Sequence, residues 1–168
     1  MTATVRELFL LWALEQLGKP TLMSAKGDYY VDHASGQVMR VAQDSIFDCS
    51  GLVTAALRVA TAADRRATHN AQVLFGVTAP VEVPEIGDLG FYGADAAHVS
   101  HVVIALAGGH LLSADGACAT ITTPGAAQAD PHCRVRVHHS VAYRSDVPFL
   151  GWRSVLPLLS PPPVAPES

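Results

Sequence analysis

The spacing of apolar residues changes near residue 80 of this 168-residue chain, and that change limits the folds open to it. Before it, residues 3–18 and 49–63 carry apolar side chains at helical intervals, and residues 68–75 add a shorter helical segment. After it come short β-branched or aromatic runs separated by turn residues: Leu89–Tyr92, Val99–Leu106, His110–Ala114, Arg134–His138 and Phe149–Leu156. Helices followed by strands predict an α+β domain, with N-terminal helices packed on a C-terminal antiparallel β-sheet.

Turn residues predict the connections between these elements. Gly108-Gly109, between two strand-like runs, predicts a hairpin. Residues 19–46 predict a loop with a short hairpin around Asp32 to Val41, and a second loop begins at Pro80. The charged triplet Asp64-Arg65-Arg66 predicts a solvated turn after the second helix.

The end of the chain differs in composition from the rest. Four prolines fall in the last nine residues, which predicts an extended, poorly ordered tail. We therefore divide the chain into one domain over residues 1–158 and a Pro-rich tail over residues 159–168.

Composition and charge exclude several classes of partner. Apolar residues make up 49% and charged residues 15%, which supplies a hydrophobic core and argues against disorder. The net charge of −4, without any Lys/Arg run, argues against nucleic acids and anionic membranes as partners.

The apolar run from Leu8 to Leu14 is too short to span a bilayer and lacks the features of a signal peptide. We expect a monomer made in the cytoplasm, without an export signal and without membrane insertion.

Cys49 is the strongest candidate for chemistry. It lies between Phe47-Asp48 and Ser50-Gly51 at a predicted helix start, where the helix dipole lowers the pKa of a thiol. A buried structural cysteine is the alternative. A catalytic thiolate needs a base, and among the eight histidines His101 is the best candidate because it opens the most strand-like apolar run. The alternative for His101 is a histidine satisfied within the core or at the surface.

The other cysteines and histidines give weaker signals. Cys118 and Cys133 can form one disulfide or can both be buried thiols, and a chain without an export signal favours the thiols. The histidines and cysteines contain no C-x-x-C or H-x-x-x-H core. We therefore expect no metal site.

Several motifs follow one another over about residues 4–156. They are the first helix with its Gly18-Lys19-Pro20 stop, FDCSGLV (Phe47–Val53), THNAQVLF (Thr68–Phe75), IGDLGFYG (Ile86–Gly93), HVVIALAGGHLLSADG (His101–Gly116) and Gly151-Trp152-Arg153. In this order they resemble the NlpC-type cell-wall cysteine peptidases, a papain-like family. The DCSG and GDL…H motifs together are specific for it, whereas either one alone is weak.

The resemblance implies a peptidoglycan hydrolase without metal or organic cofactor. Members of this family hydrolyse amide bonds in the peptide stems of bacterial peptidoglycan, most often between γ-D-glutamate and diaminopimelate. By the resemblance, Cys49 is the nucleophile and His101 the general base, which holds the thiolate and later protonates the leaving amine. The backbone N–H of Cys49 would help to stabilise the oxyanion. Asp48 and Ser50 flank the nucleophile, and in some relatives these positions contact the free amine of the stem.

One departure from the family pattern concerns the group that orients the base. Twelve positions after the base the family usually has a polar residue, often histidine, and this chain has Ser113. We expect Ser113 to hold the imidazole of His101, with a main-chain carbonyl or a water as the other option. Asp115 shares the strand parity of Ser113, whereas His110 does not.

A second departure lies upstream of the nucleophile. The family usually places an active-site tyrosine just after its first turn, but here Pro20 is followed by Thr21-Leu22-Met23. Tyr29 or Tyr30 is the candidate replacement, and we expect residues 21–46 to reshape the substrate cleft.

Three hypotheses of function follow. The first is a peptidoglycan-stem endopeptidase that reaches the wall as a phage endolysin, a tail lysin of the virion or an effector of a secretion machine, with the phage routes favoured. The second is a catalytically silent papain-like component that binds the wall or forms part of a phage tail. The third is a thiol acyltransferase or deamidase on the same fold, although the sequence shows no obvious acyl-binding surface.

Overall fold

A computed structural model describes residues 3–115 and 121–160 of the chain. The helices are α1 (Val5–Leu14), α2 (Cys49–Thr61), α3 (Ala71–Val77), α4 (Pro124–Ala129) and α5 (Leu156–Leu159). The strands are β1 (Lys26–Gly27), β2 (Tyr29–Val31), β3 (Val38–Arg40), β4 (Ile46–Phe47), β5 (Ala79–Val81), β6 (Leu89–Gly93), β7 (Val99–Ala105), β8 (Leu111–Ala114), β9 (Val135–His138) and β10 (Phe149–Ser154). None of the described helices is both long and apolar enough to cross a bilayer.

Six strands form one antiparallel sheet in the order β5-β10-β6-β7-β8-β9. Residues of α1 and α2 pack against one face of it, where Phe9, Leu52 and Ile104 belong to the largest buried cluster. On the opposite face, Val103 belongs to a second cluster that the segment between β9 and β10 covers. The predicted α+β class, with N-terminal helices on a C-terminal antiparallel sheet, is confirmed.

Short polar side chains begin the longer helices. Thr4 caps α1 in a reciprocal pair with Glu7, and Asn70 caps α3. Asp48 caps α2 through a hydrogen bond of 2.5 Å from the backbone N–H of Gly51. Each cap satisfies a backbone donor that the first helical turn leaves without a partner, so the sequence dictates these helix starts locally.

Several helix and strand boundaries in the structure differ from the predicted ones. The first helix ends at Leu14, earlier than the predicted residue 18. The predicted hairpin is real, but it pairs Tyr29–Val31 with Val38–Arg40 and so starts upstream of Asp32. The expected loop at Pro80 contains β5, which pairs with β10. The backbone of β5 forms its hydrogen bonds with β10, which is distant in sequence, and local sequence does not indicate such a pairing.

The hairpin at Gly108-Gly109 is confirmed, because β7 pairs with β8 on either side of it. Its turn is a 3-10 turn over Ala107–Gly109, in which both glycines have positive φ angles, of 69° and 77°. Such angles favour glycine, which has no Cβ to clash with the backbone.

At the end of the chain, α5 runs to Leu159 across the predicted boundary at 158, and residues 161–168 lie outside the described residues.

Candidate active site

A cavity of about 700 Å³ lies between the start of α2 and strand β7. Cys49, the first residue of α2, and His101, on β7, both line it. The structure therefore brings together two residues that lie 52 positions apart in sequence. Lys26, Tyr29, Asp48, Ser50, Arg66 and Arg144 also line this cavity.

The thiol of Cys49 lies where the helix dipole favours its anion, yet burial has the larger effect. Burial raises the pKa of Cys49 to about 11, and the negative charge of Asp48 acts in the same direction. The backbone N–H of Val102 and the ammonium of Lys26 oppose these effects without cancelling them. The expectation of a low thiol pKa is therefore wrong, because the loss of hydration outweighs the dipole.

His101 is buried, with 4% of its surface exposed, and its ring is held by two hydroxyl groups. Nε2 lies 3.0 Å from Oγ of Ser113 and 2.8 Å from Oη of Tyr143. Burial lowers the pKa of His101 to about 3, and the positive charge of Arg144 contributes in the same direction. The imidazole is therefore neutral at pH 7 and can accept a proton.

A chain of hydrogen bonds surrounds Nε2 of His101. Ser113 donates its hydroxyl hydrogen to Oδ1 of Asp115 over 2.6 Å, so its oxygen is left to accept a hydrogen from Nε2. A proton on Nε2 satisfies this chain and leaves Nδ1 as the basic nitrogen. Among the described residues, no group forms a hydrogen bond to Nδ1.

Ser113 lies at the position predicted for the orienting group, and further polar residues support it. Asp115 accepts a hydrogen bond of 2.6 Å from Nε2 of His138, whose ring stacks on Tyr143 at 3.8 Å between centroids. His110 takes no part, since its Nδ1 lies 3.0 Å from the carbonyl oxygen of Ala107. The structure thus places Ser113, and not His110, next to the base.

Sequence reasoning missed Tyr143, which lies 42 positions after His101. It ends a 3-10 turn, Val141–Tyr143, between β9 and β10. Tyr92 anchors this turn by donating its hydroxyl hydrogen to the carbonyl of Val141 over 2.8 Å. Burial raises the pKa of Tyr143, which keeps its phenol protonated. The only local signal was a tyrosine beside Arg144, in a stretch with neither helical nor strand periodicity.

Asp48 and Ser50, the predicted contacts for a substrate amine, both bind a side chain of the protein itself. Nζ of Lys26 lies 3.0 Å from each carboxylate oxygen of Asp48 and 2.6 Å from Oγ of Ser50. Lys26 was not predicted, because it comes from β1, which pairs with β4 just before the nucleophile.

The structure distinguishes the two candidate tyrosines. Tyr29 lines the cavity, and the guanidinium of Arg66 lies 5.8 Å from the centre of its ring. Tyr30 instead packs against a small buried cluster that includes Leu22 and Ile46. Of the two, Tyr29 is therefore the one that a substrate in the cavity can contact.

The expectation of a solvated turn is wrong for Arg66. Its side chain is only 10% exposed, and it binds Asp28 at 2.5 Å and Asp64 at 2.7 Å. It also donates to the main-chain carbonyl of Lys26. Arg66 thus ties the turn after α2 to the segment that carries the cavity-lining residues, a contact that the local charge pattern does not reveal.

Two further expectations concern a metal site and a disulfide. Within residues 3–115 and 121–160, no three His, Cys, Asp or Glu side chains cluster as a metal site would require. Cys133 is buried, with 1% exposed. The expectation for its pairing with Cys118 falls outside the described residues.

Comparisons with known proteins agree with the geometry. The model of the NlpC/P60 family matches residues 34–135. No curated protein sequence matches the chain.

Solved structures with the same fold share 17–22% sequence identity with the chain, which supports the fold alone. NlpC1 from Trichomonas vaginalis is 18% identical with a TM-score of 0.55, over 92% of this chain and 45% of that protein. RipD from Mycobacterium tuberculosis, a non-catalytic NlpC/p60 domain protein adapted to peptidoglycan binding, is 17% identical with a TM-score of 0.55, over 91% of this chain and 98% of that one. The peptidoglycan hydrolase RipB, also from M. tuberculosis, is 22% identical with a TM-score of 0.54, over 89% of this chain and 63% of that protein. The chain spans less than half the length of NlpC1.

Proposed function

Because the chain belongs to the NlpC/P60 family, whose fold is papain-like, we propose that it is a cysteine peptidase that cleaves the peptide stem of bacterial peptidoglycan. The bond between γ-D-glutamate and diaminopimelate is the proposed target. One observation carries the proposal: Cys49 and a neutral, firmly held His101 line the same cavity. A thiol and a base that face one cavity are the groups that acyl transfer through a covalent intermediate needs.

The mechanism proposed for this pair begins with neutral groups. As Sγ of Cys49 attacks the carbonyl carbon of the stem amide, Nδ1 of His101 takes up the thiol proton. The N–H of Cys49 belongs to the first turn of α2, where helical bonding leaves donors free, and it donates to the oxyanion. The imidazolium of His101 then gives its proton to the leaving amine as the C–N bond breaks. Water activated by Nδ1 hydrolyses the resulting thioester and restores the thiol.

Ser113 and Tyr143 serve the proposed mechanism by holding the ring of His101. When the ring becomes positively charged, Nε2–H still donates to these two oxygen atoms, and the carboxylate of Asp115 behind Ser113 favours that charge. The charge of Arg144 opposes it. Transfer of the proton to His101 is therefore coupled to the attack on the substrate.

Two other functions each have an observation in their favour. RipD has this fold and is non-catalytic, which favours a silent wall-binding component. The apolar side chains of Met23, Val31 and Val38 line the cavity, which is what a thiol acyltransferase would need to bind an acyl group. The presence of both Cys49 and His101 favours an enzyme over the silent component, and the NlpC/P60 family with the peptidoglycan hydrolase RipB favours hydrolysis over acyl transfer. The monomeric state and delivery by a phage or a secretion machine stay predictions.

Mass spectrometry of purified diaminopimelate-type peptidoglycan tests the proposal. We expect the native protein to release stem fragments shortened at a single bond, and Cys49→Ala to lower that rate by a factor of about 10³ or more. Cys133→Ala is the matched control, because it removes a thiol that does not line the cavity, and it should keep the activity. Release by Cys49→Ala at the native rate would refute the mechanism. Binding to sedimented peptidoglycan without any release would favour the silent component.

A further inference from the structure

We infer that Lys26 occupies the position beside the nucleophile where a cationic group of a substrate would bind. The protein should therefore select peptide stems whose first amine is acylated over stems whose first amine is free. This inference rests on the proposed function and names the form of stem that the site accepts. In the intact wall that amine is joined in an amide to the glycan strand, whereas in released peptides it is an ammonium group.

The position that a substrate cation would need is already filled. A substrate ammonium would bind a carboxylate, and Asp48 is the acidic residue that lines the described cavity. Both of its carboxylate oxygens accept hydrogen bonds from Nζ of Lys26. The third hydrogen bond of Nζ goes to Oγ of Ser50, whose own hydrogen goes to Asp48. The three donors of the ammonium are thus matched by three oxygen atoms of the protein.

The backbone around Lys26 holds the ammonium in place. Lys26 pairs with Phe47 in the β1–β4 ladder, and the preceding carbonyl, of Ala25, accepts the N–H of Asp48 at 2.8 Å. A Cβ on Gly51 would lie only 2.0 Å from this carbonyl oxygen, which shows how closely the segment approaches α2. The side chains of Lys26 and Asp48 are only 13% and 15% exposed. A mobile surface lysine would meet none of these conditions.

The remaining charges of the cavity also disfavour a second cation. Arg66 and Arg144 line it as well, and their acidic partners are Asp28, Asp64 and Asp146. A substrate ammonium would have to displace Lys26 from Asp48 and then lie close to the displaced charge. An amide at the same position brings no charge and can leave the pair intact.

A pair of synthetic stems tests the inference. Both contain L-alanyl-γ-D-glutamyl-diaminopimelate, and one has a free alanine amine where the other is N-acetylated. We expect kcat/KM of the native protein to be at least tenfold higher for the acetylated stem. Lys26→Met should shift the ratio at least tenfold towards the free amine, mainly through KM, because Asp48 becomes available.

Two further variants separate the charge of Lys26 from its structural role. Lys26→Arg keeps a cation beside Asp48 and should keep the native preference. Arg40→Met removes one positive charge from an exposed side chain that does not line the cavity, and it should leave the ratio unchanged. A native preference for the free amine, or an equal ratio in native protein and Lys26→Met, would overturn the inference.

Calorimetric binding to Cys49→Ala separates this inference from the proposed function. If the acetylated stem binds at least tenfold more tightly than the free stem, and Lys26→Met in that background removes the difference, the inference holds even when the native protein cleaves neither stem. In that case only the proposed hydrolysis fails. If neither stem binds, both are wrong.

Discussion

Burial, more than position at a helix start, determines the protonation of the two residues at the centre of the site. It raises the pKa of Cys49 to about 11 and lowers the pKa of His101 to about 3. A thiol and a neutral imidazole therefore face the cavity at pH 7, in place of a preformed thiolate and imidazolium. The nucleophile forms only as His101 takes up the proton, which links activation to the arrival of a substrate carbonyl.

The depressed pKa of His101 should make the fold sensitive to acid. Its ordinary pKa is 6.5, so between pH 6.5 and about 3 the unfolded chain binds a proton that the folded chain excludes. Stability from this residue is present above pH 6.5 and is lost as the pH falls towards 3, with a slope of roughly 1.4 kcal/mol per pH unit. Denaturant unfolding of the native protein and of His101→Gln across this range measures the slope.

His101→Gln should show a shallower loss of stability between pH 6 and 4 than the native protein. Cys49→Ala is the control and should keep the native slope, because its thiol titrates far above this range. Equal slopes in the native protein and His101→Gln would contradict the prediction.

At the level of elements, β7 and β8 determine which side chains meet. Ile104 lies opposite Leu112 in this antiparallel pair, so the alternation of strand side chains puts His101 and Ser113 on the same face. The segment between β9 and β10 then covers that face and brings Tyr143 to the ring of His101. The family resemblance predicted the first contact, and strand pairing explains it, whereas the second depends on a segment without a periodic pattern.

The close approach of α2 to the segment before β1 should make Gly51 irreplaceable. A Cβ at Gly51 would meet the main-chain oxygen of Ala25 at 2.0 Å, and backbone cannot move aside as a side chain can. We expect Gly51→Ala to lower the free energy of unfolding by about 2 kcal/mol or more, and to shift Cys49. Thermal and denaturant unfolding measure the loss.

Gly76→Ala is the matched helical control, because a Cβ at Gly76 has no atom within 4 Å. It should stabilise α3 by about 0.5–1 kcal/mol, as alanine is the better helix former. If Gly51→Ala proved as stable as Gly76→Ala, the proposed crowding at the start of α2 would be wrong.

Across the whole molecule, Asp88 joins the beginning, the middle and the end of the described chain. Its Oδ1 accepts hydrogen bonds of 3.1 Å from Arg6 on α1 and from the backbone N–H of Val155 just before α5. Its Oδ2 accepts a hydrogen bond of 2.9 Å from the backbone N–H of Glu85. Asp88 is 2% exposed and lies in the GDL part of the IGDLGFYG motif, so this motif has a structural role beside the sheet.

Replacing Asp88 with asparagine should destabilise the protein by about 3 kcal/mol. The amide loses the charge that balances Arg6 and leaves a buried donor facing another donor. Glu85→Gln is the control, since Glu85 binds the same Arg6 from a side chain that is 74% exposed, and it should cost less than about 0.5 kcal/mol. Chemical denaturation of both variants compares them, and equal losses would contradict the assigned role.

Local sequence by itself determined the α+β class, the succession of helices followed by strands, the family and the helix start at Cys49. These depend on periodicity and on capping by residues such as Asp48, and both act within a few positions along the chain. The family resemblance also named His101 and Ser113 in advance, and the short turn between their strands brings the two residues together. Their catalytic roles stay predictions.

Only the tertiary structure decided which groups surround these residues and what charge they carry. Tyr143 reaches His101 from beyond β9, Lys26 reaches Asp48 from β1, and β5 pairs with β10 over more than sixty positions. Nothing local encodes such contacts, because they arise from sheet pairing and from the packing of loops onto it. The raised pKa of Cys49 has the same origin, since part of the protein that desolvates its thiol comes from segments distant in sequence.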